Sequence, residues 1–142
     1  MYELISPEYL LRLTARDIIK EEKMQMEFIL FLTLNGIKID TFGPHVDDIN
    51  NDTRVEHYKS DMQLDDAALF LDDIDDIDRK CNSLLDYGDV EWFDAKQCKK
   101  LLEWINERLK KPIIPRYEKL LCVLKDFCSR AIELNTGVII DL

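Results

Sequence analysis

A strict two-residue alternation set between stretches of helical spacing is the feature that most constrains this chain. Met24, Met26, Phe28, Leu30, Leu32 and Leu34 alternate with other residues, and Ile37 and Ile39 follow Asn35-Gly36. Asn-Gly between alternating apolar residues predicts a β-hairpin, because a type I′ turn needs positive φ at both central positions. A two-residue turn there pairs Leu34 with Ile37 and Leu32 with Ile39 on one face. The competing reading extends a helix to Leu34 and uses Gly36 as its C-cap.

Helical periods flank this stretch. Ser6-Pro7-Glu8 has the form of a helix start, and Leu10, Leu11, Ile18 and Ile19 predict a helix from about Pro7 to Glu22. Phe42-Gly43-Pro44 then opens a polar loop expected to run to about Ser60. Leu64, Ala67, Ala68, Leu71, Ile74, Ile77, Cys81, Leu84 and Leu85 form an apolar stripe whose spacing predicts a second helix, stopped by Gly88. Asp94 opens a third, with Gln97 completing a capping box and Phe93 placed to pack on Cys98; Lys111-Pro112 ends it. A fourth starts near Pro115, is expected to bury Tyr117, Leu120, Leu121, Leu124, Phe127, Cys128, Ala131 and Ile132, and stops at Asn135-Thr136-Gly137. Val138 to Leu142 reads as a short strand, and Tyr2 to Ile5 as a further one. The expected fold is α+β, with about four helices packed on a small, mostly antiparallel sheet; the alternative is an all-α bundle with extended tails. With 142 residues and neither repeat nor low-complexity linker, residues 1–142 form one expected domain.

Charge is distributed unevenly. The chain carries −10 overall, yet residues 40–91 hold 16 acidic and 4 basic residues, net −12, and the remainder 13 acidic and 15 basic, net +2. This balance argues against direct nucleic-acid binding, which needs a basic stripe, and favours a basic protein partner. No apolar stretch approaches the roughly 20 residues of a membrane span. Met1 to Glu8 carries acid where a signal peptide carries base, so a cytoplasmic protein with reduced thiols is expected.

Catalytic and metal-binding patterns are absent from the sequence. Four isolated glycines make no phosphate loop. Cys81, Cys98, Cys122 and Cys128 are separated by 17, 24 and 6 positions, not by the short spacing that lets two thiolates share one zinc. Three of them fall on apolar helix stripes, where a thiol acts as a small hydrophobe. Only Cys122 lies off the main stripe, and nothing ties His45 or His57 to it. Asp72-Asp73-Ile74-Asp75-Asp76 matches the D-D-x-x-D spacing that resembles prenyl-transferring enzymes, but no second acidic motif accompanies it. As a calcium loop the run lacks its central glycine and bidentate glutamate. The expectation is therefore no catalytic residue, no metal and no cofactor.

What remains is surface. Asp65, Asp72, Asp73 and Asp76 fall opposite the Leu64–Leu71–Ile74 stripe on a helical projection. Asp86, Asp89 and Glu91 then alternate with aromatics that include Trp92, beside a turn. Aromatics supply buried contact area and acids steer a basic partner, so these eight residues are the expected partner-binding set.

Gly88-Asp89-Val90-Glu91-Trp92-Phe93-Asp94 with the helix after it, and the ending Ala131-Ile132-Glu133-Leu134-Asn135-Thr136-Gly137-Val138-Ile139-Ile140, resemble small bacterial immunity proteins of contact-dependent inhibition and related polymorphic toxin systems. The resemblance covers the C-terminal part of the chain and contains no diagnostic motif. It implies a non-enzymatic inhibitor of a cognate toxin domain, of the basic nuclease type. Two other classes stay open: an acidic, DNA-mimicking inhibitor of a nucleic-acid enzyme, and a small enzyme using scattered acids.

Overall fold

A computed structural model of the protein describes residues 26–60, 66–86 and 88–142. The expected strand at Tyr2 to Ile5, the expected helix from Pro7 to Glu22, and Asp65 lie outside the described residues. The described elements, in order, are β1 Glu27–Phe31, β2 Lys38–Asp40, β3 Gly43–His45, β4 Val55–Lys59, a 3-10 helix Asp66–Phe70, α1 Ile74–Cys81, β5 Val90–Asp94, α2 Ala95–Arg108, α3 Pro115–Leu134 and β6 Gly137–Asp141. The fold is α+β: four strands form an antiparallel sheet in the order β4-β1-β6-β5, and β2 and β3 form a separate two-stranded ribbon. The described residues hold three α-helices, where about four were expected across the whole chain. No helix among them is long and apolar enough to cross a membrane.

β1 is an interior strand, and its sequence shows why. Phe28-Ile29-Leu30-Phe31 is continuously apolar, and all four residues are buried, as a strand covered on both faces requires. Phe28 and Leu30 join Phe93, Val138, Ile140 and the helices in the main core, where Leu101, Ile105, Leu121, Leu124 and Cys128 are fully buried. Ile29 and Phe31 face the other way, toward Val55, Ile139, Trp92 and the loop residues Leu34, Ile37, Val46 and Ile49. Burial of each large apolar side chain contributes about 1.5–3 kcal/mol, so the helical face supplies most of the driving force.

The hairpin expected at Asn35-Gly36 is replaced by a turn between segments that do not pair with each other. Ile37 N–H does donate to Leu34 C=O (3.1 Å), but only Gly36 takes positive φ (+73°); Asn35 does not. A type I′ turn is therefore not formed, and the flanking strands are not aligned to pair. β1 instead pairs with β4 and β6, while β2 folds back on β3 in the register Lys38↔His45 to Asp40↔Gly43. The expected loop up to Ser60 contains β3 and β4, whose short length and polar residues concealed them.

The long second helix is also broken. A 3-10 helix precedes α1, which ends at Asn82 in the left-handed conformation (φ 53°) well before Gly88. Two aspartates interrupt the path by bonding elsewhere. Asp66 is buried and paired with Arg116, and Asp73 accepts from Tyr117 Oη (2.6 Å) and Arg108 Nε (3.1 Å). Leu71 and Leu84, expected in the buried stripe, are 54% and 84% exposed. The last two helices match the sequence closely. Asp94 and Gln97 form both bonds of a capping box, Pro115 opens α3, and Asn135 closes it at φ 54°.

Candidate functional site

The carboxylates of the acidic segment divide into those tied inside the protein and those facing out. Asp52 holds the Arg54 guanidinium (2.6 and 2.9 Å), and that hydrogen bond pulls the Asp52 carboxyl down from 3.8 to about 2. Glu56 on β4 takes both terminal nitrogens of Arg130 from α3 (2.6 and 2.8 Å), which lowers its pKa in the same way. Asp78 accepts from Ser83 Oγ (2.7 Å) and Leu85 N–H (2.9 Å), fixing the chain after α1. Asp73, expected on the solvent face, is half-buried: its carboxylate lies between α2 and α3, and its bond to Tyr117 together with burial holds that phenol protonated. Because Ile74 starts a new helix, the single helical projection that set Asp73 outward does not apply.

Asp72 and Asp76 are exposed; Asp76 pairs with Arg79 (2.9 Å), and Asp72 has no hydrogen bond or ion pair among the described residues. Around Asp73 and Asp76 a cleft of about 650 Å³ opens over Trp104. Most of its charges are paired within the protein, through Arg79–Asp76, Lys80–Glu103 (3.0 Å), Arg108–Asp73 and Glu107–Lys110 (2.9 Å).

A second cleft, of about 700 Å³, lies at the start of α2 and is lined by two of the expected partner-binding residues, Glu91 and Trp92. One wall is the tip of the β2–β3 ribbon, with Ile39 and Phe42; the other is the segment after α1, with Leu84. Phe42 is 90% and Leu84 84% exposed, an arrangement that solvent alone does not favour. Between them run β5 and the start of α2.

Trp92 forms part of this cleft and is anchored from behind. Its indole meets Phe31 edge-on at 5.4 Å. Gly43 and Gly137 lie so close that a Cβ at either would approach the Trp92 side chain to 2.8 and 2.4 Å respectively. The ring is thus half core and half cleft lining. Glu91, on the opposite face of β5, accepts the Leu84 N–H and so holds the second wall in place. Asp86 and Asp89 are exposed in the turn leading into β5. The structure therefore brings Asp86, Asp89, Glu91 and Trp92 to one end, separates them from Asp72 and Asp76, and turns Asp73 inward. Sequence reasoning missed Phe42 and Leu84. The aromatic residue before Gly43-Pro44 is the available signal for the first, while Leu84 has the spacing of a helical stripe whose helix ends at Cys81.

No group of three or more His, Cys, Asp or Glu side chains among the described residues is arranged to hold a metal ion. Cys81, Cys98 and Cys128 are buried and Cys122 exposed, all as free thiols. Burial pushes Cys81 up to about 12. The hydrogen bond with Cys98, together with burial, also raises Cys128. Both histidines are engaged elsewhere: His45 Nε2 meets Asp40 at 2.6 Å, and His57 lies between Glu27 (2.7 Å) and the Ile49 carbonyl (2.9 Å). Comparison with protein-family models, with curated proteins and with solved structures returns no match.

Proposed function

We propose that this chain is a non-catalytic cytoplasmic binding protein that neutralises a basic partner protein, of the kind a toxin domain presents to its immunity protein. The observation that carries the reading is the cleft beside β5, where exposed Phe42 and Leu84 stand within an acidic surround. Apolar anchors supply contact area, and surplus acid raises the rate of encounter with a basic surface. Asp86, Asp89, Glu91 and Trp92 belong to this docking end, while Asp72 and Asp76 contribute to the field from α1. Asp73 and Asp66 serve the fold. Mimicry of a nucleic acid is less well supported, since it needs carboxylates displayed at phosphate-like spacing, and Asp52, Glu56, Asp66, Asp73 and Asp78 are committed to internal partners.

The test begins with the reading frame encoded beside this chain. Its C-terminal domain should be basic, should arrest growth when expressed alone, and should lose that effect when this protein is co-expressed. Growth arrest that persists despite co-expression, with no complex on size-exclusion chromatography, contradicts the reading.

A further inference from the structure

We infer that the outer edge of β5 receives an extended segment of the basic partner as a fifth strand of the sheet. The inference rests on the binding reading above and adds to it the mode of recognition.

β5 is an edge strand, paired only with β6. Leu142 N–H donates to the Asp89 carbonyl (3.2 Å), across the same ladder that pairs Val90 with Asp141. In an antiparallel pair the residues that exchange hydrogen bonds alternate with those that do not. Residues 89, 91 and 93 therefore direct their backbone groups to β6, and Val90 and Trp92 direct theirs away from it. Asp94 confirms the parity: its N–H turns outward to Gln97 Oε1 (3.1 Å). Val90 and Trp92 thus present N–H and C=O groups along the outer edge, Trp92 at the cleft, with no partner for them among the described residues. An open strand edge of this kind is a template for another chain.

The two sides of the edge differ in chemistry, and that difference selects the occupant. Val90, Trp92 and the neighbouring Phe42 lie on one face, whereas Asp89 and Glu91 point to the other. A strand added here places alternate side chains against each set. The matching segment alternates apolar with basic residues. A second copy of this chain fits poorly, because pairing β5 with itself crowds Asp89 and Glu91 of both copies on one face, where like charges oppose association.

The probe is a blocked octapeptide of alternating lysine and valine, titrated into the full-length 15N-labelled protein. Binding should shift Val90, Trp92 and Leu84 resonances and slow exchange of the Val90 and Trp92 amides at least tenfold. Methylating the backbone nitrogens of only the valines or only the lysines separates strand pairing from side-chain docking. In an added strand only one set of nitrogens faces β5, so one peptide should bind at least tenfold more weakly and the other nearly normally. The valine set is the sensitive one for antiparallel addition. Val90→Pro, which removes an outward N–H and no ladder bond, should likewise weaken binding at least tenfold. Equal effects of the two methylations, or shifts confined to Asp72 and Asp76, overturn strand addition and leave the basic-partner reading intact. Equal binding of an alternating glutamate–valine peptide contradicts both. No binding of the lysine–valine peptide, or a Val90-dependent dimer in sedimentation, overturns the inference, while growth protection continues to judge the reading separately.

Discussion

The stretch from Asp66 to Asp78 and the stretch from Leu84 to Asp94 are both acidic, yet they use their acids differently. In the first, carboxylates reach across the chain: Asp66 meets Arg116 and Asp73 meets Tyr117 and Arg108, partners 35 to 50 positions away. These bonds tie a broken helical segment to α2 and α3. In the second, Glu91 and Asp94 bond only seven and three residues away. They shape a local wall and a helix start, and leave beside them an open strand edge and exposed apolar side chains. Acid content alone does not mark a docking surface. Where the carboxylates are held by distant partners they are part of the fold, and where they border the open edge of β5 they lie at the proposed docking surface.

The contrast is sharpest between Asp73 and Glu91. Asp73→Ala removes the acceptor of a buried phenol and a half-buried guanidinium, and should cost about 3 kcal/mol, read as a lower urea midpoint at unchanged slope. An effect below about 0.5 kcal/mol, the level of an ordinary surface substitution, would place Asp73 with the outward acids. Glu91→Gln should cost about 1 kcal/mol, the scale of one hydrogen bond, and should speed exchange of the Leu84 amide. If that amide is unaffected, Glu91 does not hold the cleft wall.

Acid titration separates tied carboxylates from outward ones in a different way. Asp52 titrates at about 2 in the folded protein, below its ordinary 3.8. The unfolded chain therefore takes up this proton first as pH falls, so the contribution is present at neutral pH and is lost between about pH 4 and pH 2. Asp52→Asn should flatten the stability profile in that interval, and an unchanged profile would show that Arg54 does not depend on this carboxylate. The smallest effect is expected from Asp72→Asn, which should change the urea midpoint by less than about 0.5 kcal/mol. A larger loss would mean that Asp72 belongs with its neighbour.

Much of the helical half was legible because its signals are local. The Asp94–Gln97 capping box, the proline at the start of α3, and Asn135 before the closing strand each fix a boundary within a few residues. The sheet was less legible because pairing is decided by partners far along the chain. Phe28 to Phe31 became a central strand only when β6, more than 100 residues later, supplied its other edge. Alternation around Asn35-Gly36 suggested a local hairpin, whereas burial of both faces of β1 favoured long-range pairing. The acidic surface was legible in its total charge but not in its disposition, since no spacing rule reveals that Asp73 meets Tyr117. Of the proposed site, Asp86, Asp89, Glu91 and Trp92 were visible in the sequence. Phe42 and Leu84 gain significance only from the topology that sets them on opposite walls of one cleft.

The most direct measurement is the affinity of the protein for the proposed basic partner domain, compared between two surface variants that keep the wild-type melting temperature. Phe42→Ser with Leu84→Ser should weaken binding about a hundredfold, as loss of two central apolar anchors does, mainly through faster dissociation. Asp72→Asn with Asp76→Asn should change only the association rate, by a few-fold, and less so at high salt. Unchanged affinity in the first variant together with a large loss in the second would contradict the account, and would move the docking surface from the open edge of β5 to the face of α1.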